Sequence, residues 1–315
     1  MSSGLTIGVD IGGTKVLGGV VDAEGKVLTT TLRPSPAQDP AQIRAVIAQI
    51  IRELRADHDV DAIGIGAAGW IDEKRSTVLF APNLAWRDEP LRDSIMSEVD
   101  IPVVVENDAN VATWAEFRFG AGRKANSATL FTVGTGIGGG IVLEGQLVRG
   151  AHGIAAEFGH TLAVPDGVTC GCGRSGCLEQ YASGNALVRF ARQDALTHPN
   201  EARQLLEHAD ANPAAITGPM VTNAARKGDP IALGAFNKAG GYLGEALADI
   251  VQLLDPDVII IGGGVINAGE LLLTPARERY NAVLNARGRF PAAEIVAAEM
   301  GPEAGIIGAA DLARR

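Results

Sequence analysis

The sequence predicts an α/β protein built from two duplicated halves. Three observations carry this. At 315 residues and 46% hydrophobic, the chain exceeds the size at which a single core usually divides into two lobes. It twice spells strand, glycine turn, strand, short turn, strand, once over residues 5–28 and again over 129–148, the mark of an internal repeat. Its 40 glycines beside 4% aromatic residues imply a backbone that turns tightly or approaches something closely.

The first repeat reads as strand Leu5–Asp10, a turn at Gly12 and Gly13, strand Lys15–Asp22, and a second turn, Ala23-Glu24-Gly25, into Lys26–Thr30. Such strands form an antiparallel meander. After the Pro-rich loop Pro34–Pro40, the residues Ile43, Val46, Ile47, Ile50, Ile51 and Leu54 recur at helical spacing, and this helix should cover the first sheet. Buried strands follow at Ala62–Ala67 and Pro102–Val105, separated by a loop and a short helix around Pro90–Val99. A helix over Val111–Phe119 leads into the second repeat: strand Thr129–Val133, turn Gly134–Gly140, strand Ile141–Leu143, then Gln146–Val148. From Gly184 to Leu254 the pattern is mostly helical. It ends in strand Val258–Ile261, the run Gly262-Gly263-Gly264, and a closing helix at Ala304–Leu312, expected to pack back on the first domain. The expected division is a small domain of residues 1–110 completed by 302–315, and a large domain of 111–301.

Composition excludes several function classes. With 37 acidic against 27 basic residues, a net charge of −10 and no Lys/Arg cluster, there is no electrostatic footprint for a phosphate backbone, so nucleic acid is not an expected partner. No apolar run is long enough to span a bilayer, and no charged n-region with an apolar h-region precedes the first strand. The expectation is a cytoplasmic protein without membrane contact.

Asp10-Ile-Gly-Gly-Thr-Lys15 fits neither the P-loop nor the dinucleotide fingerprint, because both require a helix where this chain predicts a strand. What survives is a hairpin whose backbone N–H groups at Gly12 and Gly13, with the Thr14 hydroxyl, face phosphate oxygens. Asp10 is then placed to hold Mg²⁺ directly or through water. One such turn reads equally well as an ordinary hairpin that binds nothing. The second copy, Thr132-Val-Gly-Thr135-Gly136-Ile-Gly138-Gly-Gly140, has more glycine than a turn needs, which points to close approach of a ligand. Gly263 and Gly264, after a buried strand, suit bound adenosine.

All three cysteines fall within eight residues, Cys170, Cys172 and Cys177, so they cannot all pair with one another and read as a metal site. With His160 they make four soft or borderline ligands, the set of a closed tetrahedral zinc. His152 lies near enough to compete as the fourth ligand, whereas His58, His198 and His208 read as surface. A zinc with four protein ligands has no open position for a reactive water, so its role is structural. It would fix the loop that carries Glu157 and Glu179, carboxylates suited to sugar hydroxyls. Asp108 follows a buried strand and precedes a helix, where α/β clefts open. Its carboxylate there can take the proton of an attacking hydroxyl, although the position alone reads as a helix N-cap.

Together, Asp10–Lys15, Glu106-Asn107-Asp108-Ala109-Asn110, Thr132–Gly140, Glu157-Phe-Gly-His160, Cys170-Gly-Cys172-Gly-Arg-Ser-Gly-Cys177-Leu-Glu179 and Ile261–Gly264 resemble the ROK family, the sugar kinases and sugar-responsive repressors of the hexokinase, actin and heat-shock ATPase superfamily. The resemblance spans nearly the whole chain and is greatest to bacterial glucokinases. It implies a two-domain actin-like ATPase (ribonuclease H-like) fold with duplicated mixed sheets and an interdomain cleft. It further implies phosphorylation of glucose at the 6-hydroxyl by ATP with Mg²⁺, a glycolytic reaction. Asp108 would be the general base, while Asn107, Glu157, His160 and Glu179 hold the sugar and His160 also ligates zinc. Asp10, Gly12, Gly13, Thr14, Lys15, Thr135, Gly136 and Gly138 would serve the phosphates, with Gly263 and Gly264 at the nucleotide. Where family members often carry Pro-Gly-Val-Asp, this chain reads Ala68-Gly69-Trp70-Ile71-Asp72. Gly69 persists as a sugar contact and Trp70 alters the wall, and Asn83 also matches a position near the sugar. Mannose, fructose, an N-acetylated amino sugar and polyphosphate stay open as alternative substrates. A sugar-sensing repressor would need an N-terminal winged helix, for which a first strand at residue 5 leaves no room. The expected assembly is a homodimer or homotetramer.

Overall fold

The computed structural model describes residues 4–288 and 292–315; Met1–Ser3 of the expected first domain lie outside them. The first meander is β1 (Thr6–Ile11), β2 (Lys15–Val21) and β3 (Val27–Pro34), followed by α1 (Pro40–Ala56). Asp39 caps α1, accepting the Ala41 and Gln42 N–H groups, and Pro40 sits at its first position, where its missing N–H and fixed φ suit a helix start. Strand β4 (Ala62–Ala67) leads to three short strands absent from the sequence reading, β5 (Trp70–Ile71), β6 (Val78–Phe80) and β7 (Arg87–Glu89). Helix α2 (Leu91–Val99), β8 (Val103–Asn107) and α3 (Asp108–Arg118) follow, then β9 (Ala128–Val133), β10 (Ile137–Leu143) and β11 (Gln146–Leu147). The helical stretch resolves into α4 (Glu179–Ala182), α5 (Gly184–Thr197), α6 (Arg203–Glu207), α7 (Gly218–Arg226) and α8 (Pro230–Leu254). Strand β12 (Val258–Gly262), α9 (Glu270–Ala286), β13 (Glu294–Ala297) and α10 (Ala304–Ala313) complete the chain. Helix α9 and β13 were not anticipated.

The repeat read from the sequence is present as two five-stranded mixed sheets of equivalent order, β3-β2-β1-β4-β8 and β11-β10-β9-β12-β13. In the first, β1 pairs antiparallel with β2 and parallel with β4, and β4 is parallel to β8. In the second, β10 and β11 are antiparallel and β12 and β13 parallel. The second glycine turn is shorter than expected. Strand β10 begins at Ile137, so Gly138 to Gly140 are strand residues, and a Cβ at Gly140 would lie 2.0 Å from Thr113 Oγ1. Packing against α3, rather than a turn, requires glycine there.

The described chain forms two compact units. Among the described residues, unit 1 comprises 4–130, 140–156 and 298–315, and unit 2 comprises 131–139, 157–288 and 292–297. Helices α3 and α10 pack on each other and both belong to unit 1. In unit 1, Ile43, Ile47, Ile50, Ile51 and Leu54 of α1 are buried against one sheet face, and each such side chain contributes about 1.5–3 kcal/mol of gross burial. Helix α10 covers the other face, as expected for the closing helix. It approaches so closely that a Cβ at Gly8 or Gly64 would stand 1.8 Å from the carbonyl oxygens of Ile306 or Ala309. Glycine in the middle of β1 and β4 therefore makes room for a helix backbone. Among the described residues, no helix is long and apolar enough to cross a membrane.

Candidate active site

In unit 1 the first glycine turn is a hairpin closed by Gly12 N–H donating to Lys15 O (3.0 Å). Gly13 lies against Asn83, 3.3 Å from where a Cβ would be, so the turn and the Asn83 loop meet. Thr14 and Lys15 are exposed at the tip. Asp10, at the end of β1, faces Gly305 of α10, where a Cβ would come within 2.7 Å of its Cγ. Burial raises the Asp10 carboxyl above its ordinary value, opposed by the nearby Lys15 charge.

The end of β8 carries Glu106, Asn107 and Asp108. The helix is capped by Asn107, whose Oδ1 accepts the Asn110 N–H at 3.0 Å. This settles the capping question raised by the sequence, because Asp108 is the first helical residue. Its Oδ1 accepts from Ala109 N–H and from Asn107 Nδ2 (2.9 and 3.0 Å), and the side chain is exposed. Asn107 Nδ2 also donates to Gly69 O at 3.0 Å. Gly69 has φ 156°, and a Cβ there would stand 2.4 Å from Phe80 O, so no larger residue fits. Beside it, Trp70 is 40% exposed and tilts against Phe80 at 5.5 Å, while Arg87 covers that ring at 4.1 Å. Gly69, Asn107 and Asp108 thus form one hydrogen-bonded group.

In unit 2 the second turn is closed by Gly134 N–H donating to Gly136 O (3.0 Å), and Gly184 N–H donates to Gly134 O (2.8 Å). Thr135 is exposed at the tip. Gly138 lies in β10, and its N–H is given to Thr132 Oγ1 at 3.2 Å. Beside the turn opens a cavity of about 480 Å³ lined by Gly134, Thr135, Asn185, Asn223, Arg226 and Gly264, among others. Gly264 lines this cavity. Gly263 packs on the Val133 backbone instead, where a Cβ would meet the carbonyl oxygen at 2.5 Å. The sequence reading missed the cavity walls on α5 and α7. Thr222 and Arg226, four apart on one helix face, were the available signal, but an exposed polar face looks the same.

His160, Cys170, Cys172 and Cys177 have donor atoms all within 4.8 Å of one another. Cys170 Sγ lies 3.6 Å from His160 Nδ1, and Cys172 Sγ lies 3.6 Å from Cys177 Sγ. A tetrahedral zinc with bonds of about 2.0–2.3 Å needs donors roughly 3.3–3.8 Å apart. The donor set therefore fits zinc in chemistry, and the two pairs at 3.6 Å match that spacing. Of the two candidate histidines, His160 belongs to the cluster; His152 does not. Burial and the adjacent Glu179 push the Cys170 thiol up to about 12. The cluster also reaches the other expected sugar residues. Glu179 Oε1 accepts from Cys170 Sγ at 3.0 Å, its other oxygen lies 2.6 Å from where a Gly136 Cβ would be, and Glu157 Oε2 is 4.0 Å from His160 Nε2. Glu157, His160, Glu179, the cysteine loop and the second turn are thereby one connected group.

A family model described as the ROK family matches residues 6–315. Glucokinase from Streptomyces coelicolor is 49% identical over 311 residues, covering 99% of this chain and 98% of the relative. The crystal structure of a ROK family glucokinase from Streptomyces griseus in complex with glucose and AMPPNP is similar with a TM-score of 0.88 and 50% identity, over 99% of each chain. A ROK hexokinase from Thermus thermophilus is similar with a TM-score of 0.84 and 33% identity, over 98% of each chain.

Proposed function

Because the chain belongs to the ROK family, we propose that it is a kinase that transfers the terminal phosphoryl group of ATP to the 6-hydroxyl of glucose. The cavity of about 480 Å³ beside the Gly134–Gly136 turn carries this reading. It joins a phosphate-sized glycine turn to a space with apolar walls at Leu187, Val188 and Ala268, which suits a nucleoside and offers a polyphosphate chain little. The Streptomyces griseus structure is in complex with glucose and AMPPNP, an analogue of ATP, and glucose with ATP is the pair assigned to this chain.

In this proposal Asp108 is the general base. Its exposed carboxylate takes the proton of the sugar hydroxyl as that oxygen attacks, a role that contributes about 10²–10⁴-fold. Asn107 orients it through the Nδ2–Oδ1 hydrogen bond. Gly69, Asn83, Asn107, Glu157, His160 and Glu179 are assigned to the sugar hydroxyls. The turns at Gly12–Lys15 and Thr135–Gly136 are assigned to the phosphates. They present N–H dipoles and the Lys15 charge to oxygens on which negative charge accumulates in phosphoryl transfer. Magnesium bound with ATP supplies further neutralisation of that charge. Asp10 is the residue that would hold it, since a carboxyl made costly by burial is one that a divalent cation satisfies.

Zinc on His160, Cys170, Cys172 and Cys177 would have four protein ligands and no open position, and so supplies rigidity rather than a reactive water. That rigidity acts on Glu179 and on His160, whose Nδ1 faces the cysteines and whose Nε2 faces Glu157. Cytoplasmic residence and a homodimeric or homotetrameric assembly go with the proposal, and light scattering tests the assembly.

The deciding experiment is phosphorylation of glucose, mannose, fructose and N-acetylated amino sugars with ATP and, separately, with polyphosphate. Glucose with ATP is expected to give the highest kcat/KM. No turnover of any hexose would reject the kinase reading, and turnover with polyphosphate alone would reject the cavity's role. Another hexose is the second reading, favoured by the altered wall at Trp70, since epimer discrimination rests on single hydroxyl hydrogen bonds.

A further inference from the structure

Glu106 is 1% exposed at the end of β8 and lies next to the proposed sugar and base residues without reaching the surface. Its Oε1 accepts from the Asn107 N–H at 2.9 Å and from Asn110 Nδ2 at 3.1 Å. Its Oε2 stands 2.6 Å from Arg149 Nε and 3.1 Å from Arg75 Nε. Although those separations are short, neither Glu106 Oε2 nor Arg149 Nε has a well-directed hydrogen bond there, so charge rather than geometry holds the contact. Arg149 gives its two remaining nitrogens to Asp72 O (2.7 Å) and Glu73 O (2.8 Å). Arg75 closes the same turn, its N–H on Asp72 O and its carbonyl accepting Val105 N–H (both 3.1 Å).

One carboxylate is therefore connected on one side to the backbone of Asn107 and the first turn of α3. On the other it is connected, through two guanidiniums, to the turn that follows Gly69, Trp70 and Ile71. Gly69 O and Asn107 Nδ2 close the loop. A carboxylate and two guanidiniums removed from water are a poor source of stability, because desolvation offsets most of the attraction. What the cluster does supply is a fixed relation between two backbone segments.

We propose that Glu106, held between Arg149 and Arg75, is a positioning residue for the transfer reaction. It locks the Asn107–Asp108 pair and the Gly69–Asp72 segment into the single arrangement that presents the sugar hydroxyl to the Asp108 carboxylate. The proposal rests on the assignment of Asp108 as base. Misplacement of a reacting group by about 1 Å costs on the order of a hundredfold, and a loosened Asn107 also weakens sugar contacts.

The test is steady-state kinetics of Glu106→Gln and Arg149→Lys, with melting curves, alongside Asp108→Asn. Gln at 106 keeps the Oε1 acceptor but sets an amide against two guanidiniums, and Lys at 149 keeps the charge but loses the fork. Both variants are expected to lose about a hundredfold in kcat/KM for glucose, with a roughly tenfold rise in glucose KM and an unchanged ATP KM. Partial unfolding lowers kcat in proportion to the folded fraction and moves neither KM, so that pattern would overturn the proposal, as would wild-type kinetics. Should Glu106→Gln fail to fold, Arg149→Lys carries the same test. An active Asp108→Asn enzyme removes the base assignment. An inactive one beside wild-type Glu106 and Arg149 variants removes only the positioning role.

Discussion

The two sheets share a strand order, but the polar groups at their ends are held by different forces. At the end of β8 in unit 1, Asn107 and Asp108 are set by a helix cap, a buried Glu106 and two arginines, all within covalent and ionic reach of a rigid sheet. In unit 2, Glu157 precedes and His160 ends a single 3-10 turn at Phe158–His160, and Glu179 begins the four-residue α4, so none of them stands on a long element. Glu157 and Glu179 are joined by close contacts to the cluster of His160, Cys170, Cys172 and Cys177, whose donor atoms lie within 4.8 Å of one another. The comparison teaches that a duplicated scaffold does not duplicate the means of preorganisation. Strand ends hold side chains by backbone geometry, whereas in the proposed function the short elements of unit 2 are held by a metal cross-link.

The widest test of this contrast is Asp108→Asn. In the base role, the variant should lose about 10³-fold or more in kcat while glucose affinity, measured by calorimetry, stays within a few-fold. A near-normal rate rejects the role. Next is metal removal. Elemental analysis should find about one zinc per chain, and chelation, or Cys177→Ser, should raise the glucose KM at least about tenfold. Hydrogen exchange should show lost protection over 157–183 and none over β1, β4 and β8; loss in both would mean that the units are not stabilised separately.

A smaller effect comes from glycine replacement. Gly64→Ala places a Cβ 1.8 Å from Ala309 O and should cost about 1–3 kcal/mol or more by overpacking. Gly241→Ala in α8, with nothing within 4 Å of its Cβ outside the helix's own backbone, should be neutral or stabilising by up to about 1 kcal/mol. Denaturant melts check the pair. The smallest effect is Asp10→Asn. The folded-state pKa of Asp10 is raised by burial, so its stability contribution is present below the ordinary carboxylate value and is lost as pH rises through the folded value. At pH 7 the charged form is a cost. Asp10→Asn should therefore raise the melting temperature by about 2 °C at pH 7 and by less at pH 4, while lowering turnover. A lower melting temperature at pH 7 would refute that reading.

Local chemistry made much of the site legible. The crowded cysteines, the paired glycine turns and the Glu106-Asn107-Asp108 run each announce themselves by residue type and spacing. Gly138 and Gly263 show the limit of that reading. As residue types they match a phosphate cradle, yet one lies in β10 with its N–H on Thr132 and the other packs on the Val133 backbone. Arg75 and Arg149, far apart in sequence, gave no signal at all.

The repeat, the helix and strand periodicity of most elements, and the crowding of Cys170, Cys172 and Cys177 are legible in the chain alone, because each depends on residues near in sequence. Only the tertiary structure decided which histidine joins the cysteines, which helix residues wall the cavity, and that Asn107 rather than Asp108 caps α3. It alone brought Arg75 and Arg149 onto Glu106. Burial and charge pairing depend on which distant segments come together, and that is a property of the packed chain that no local pattern encodes.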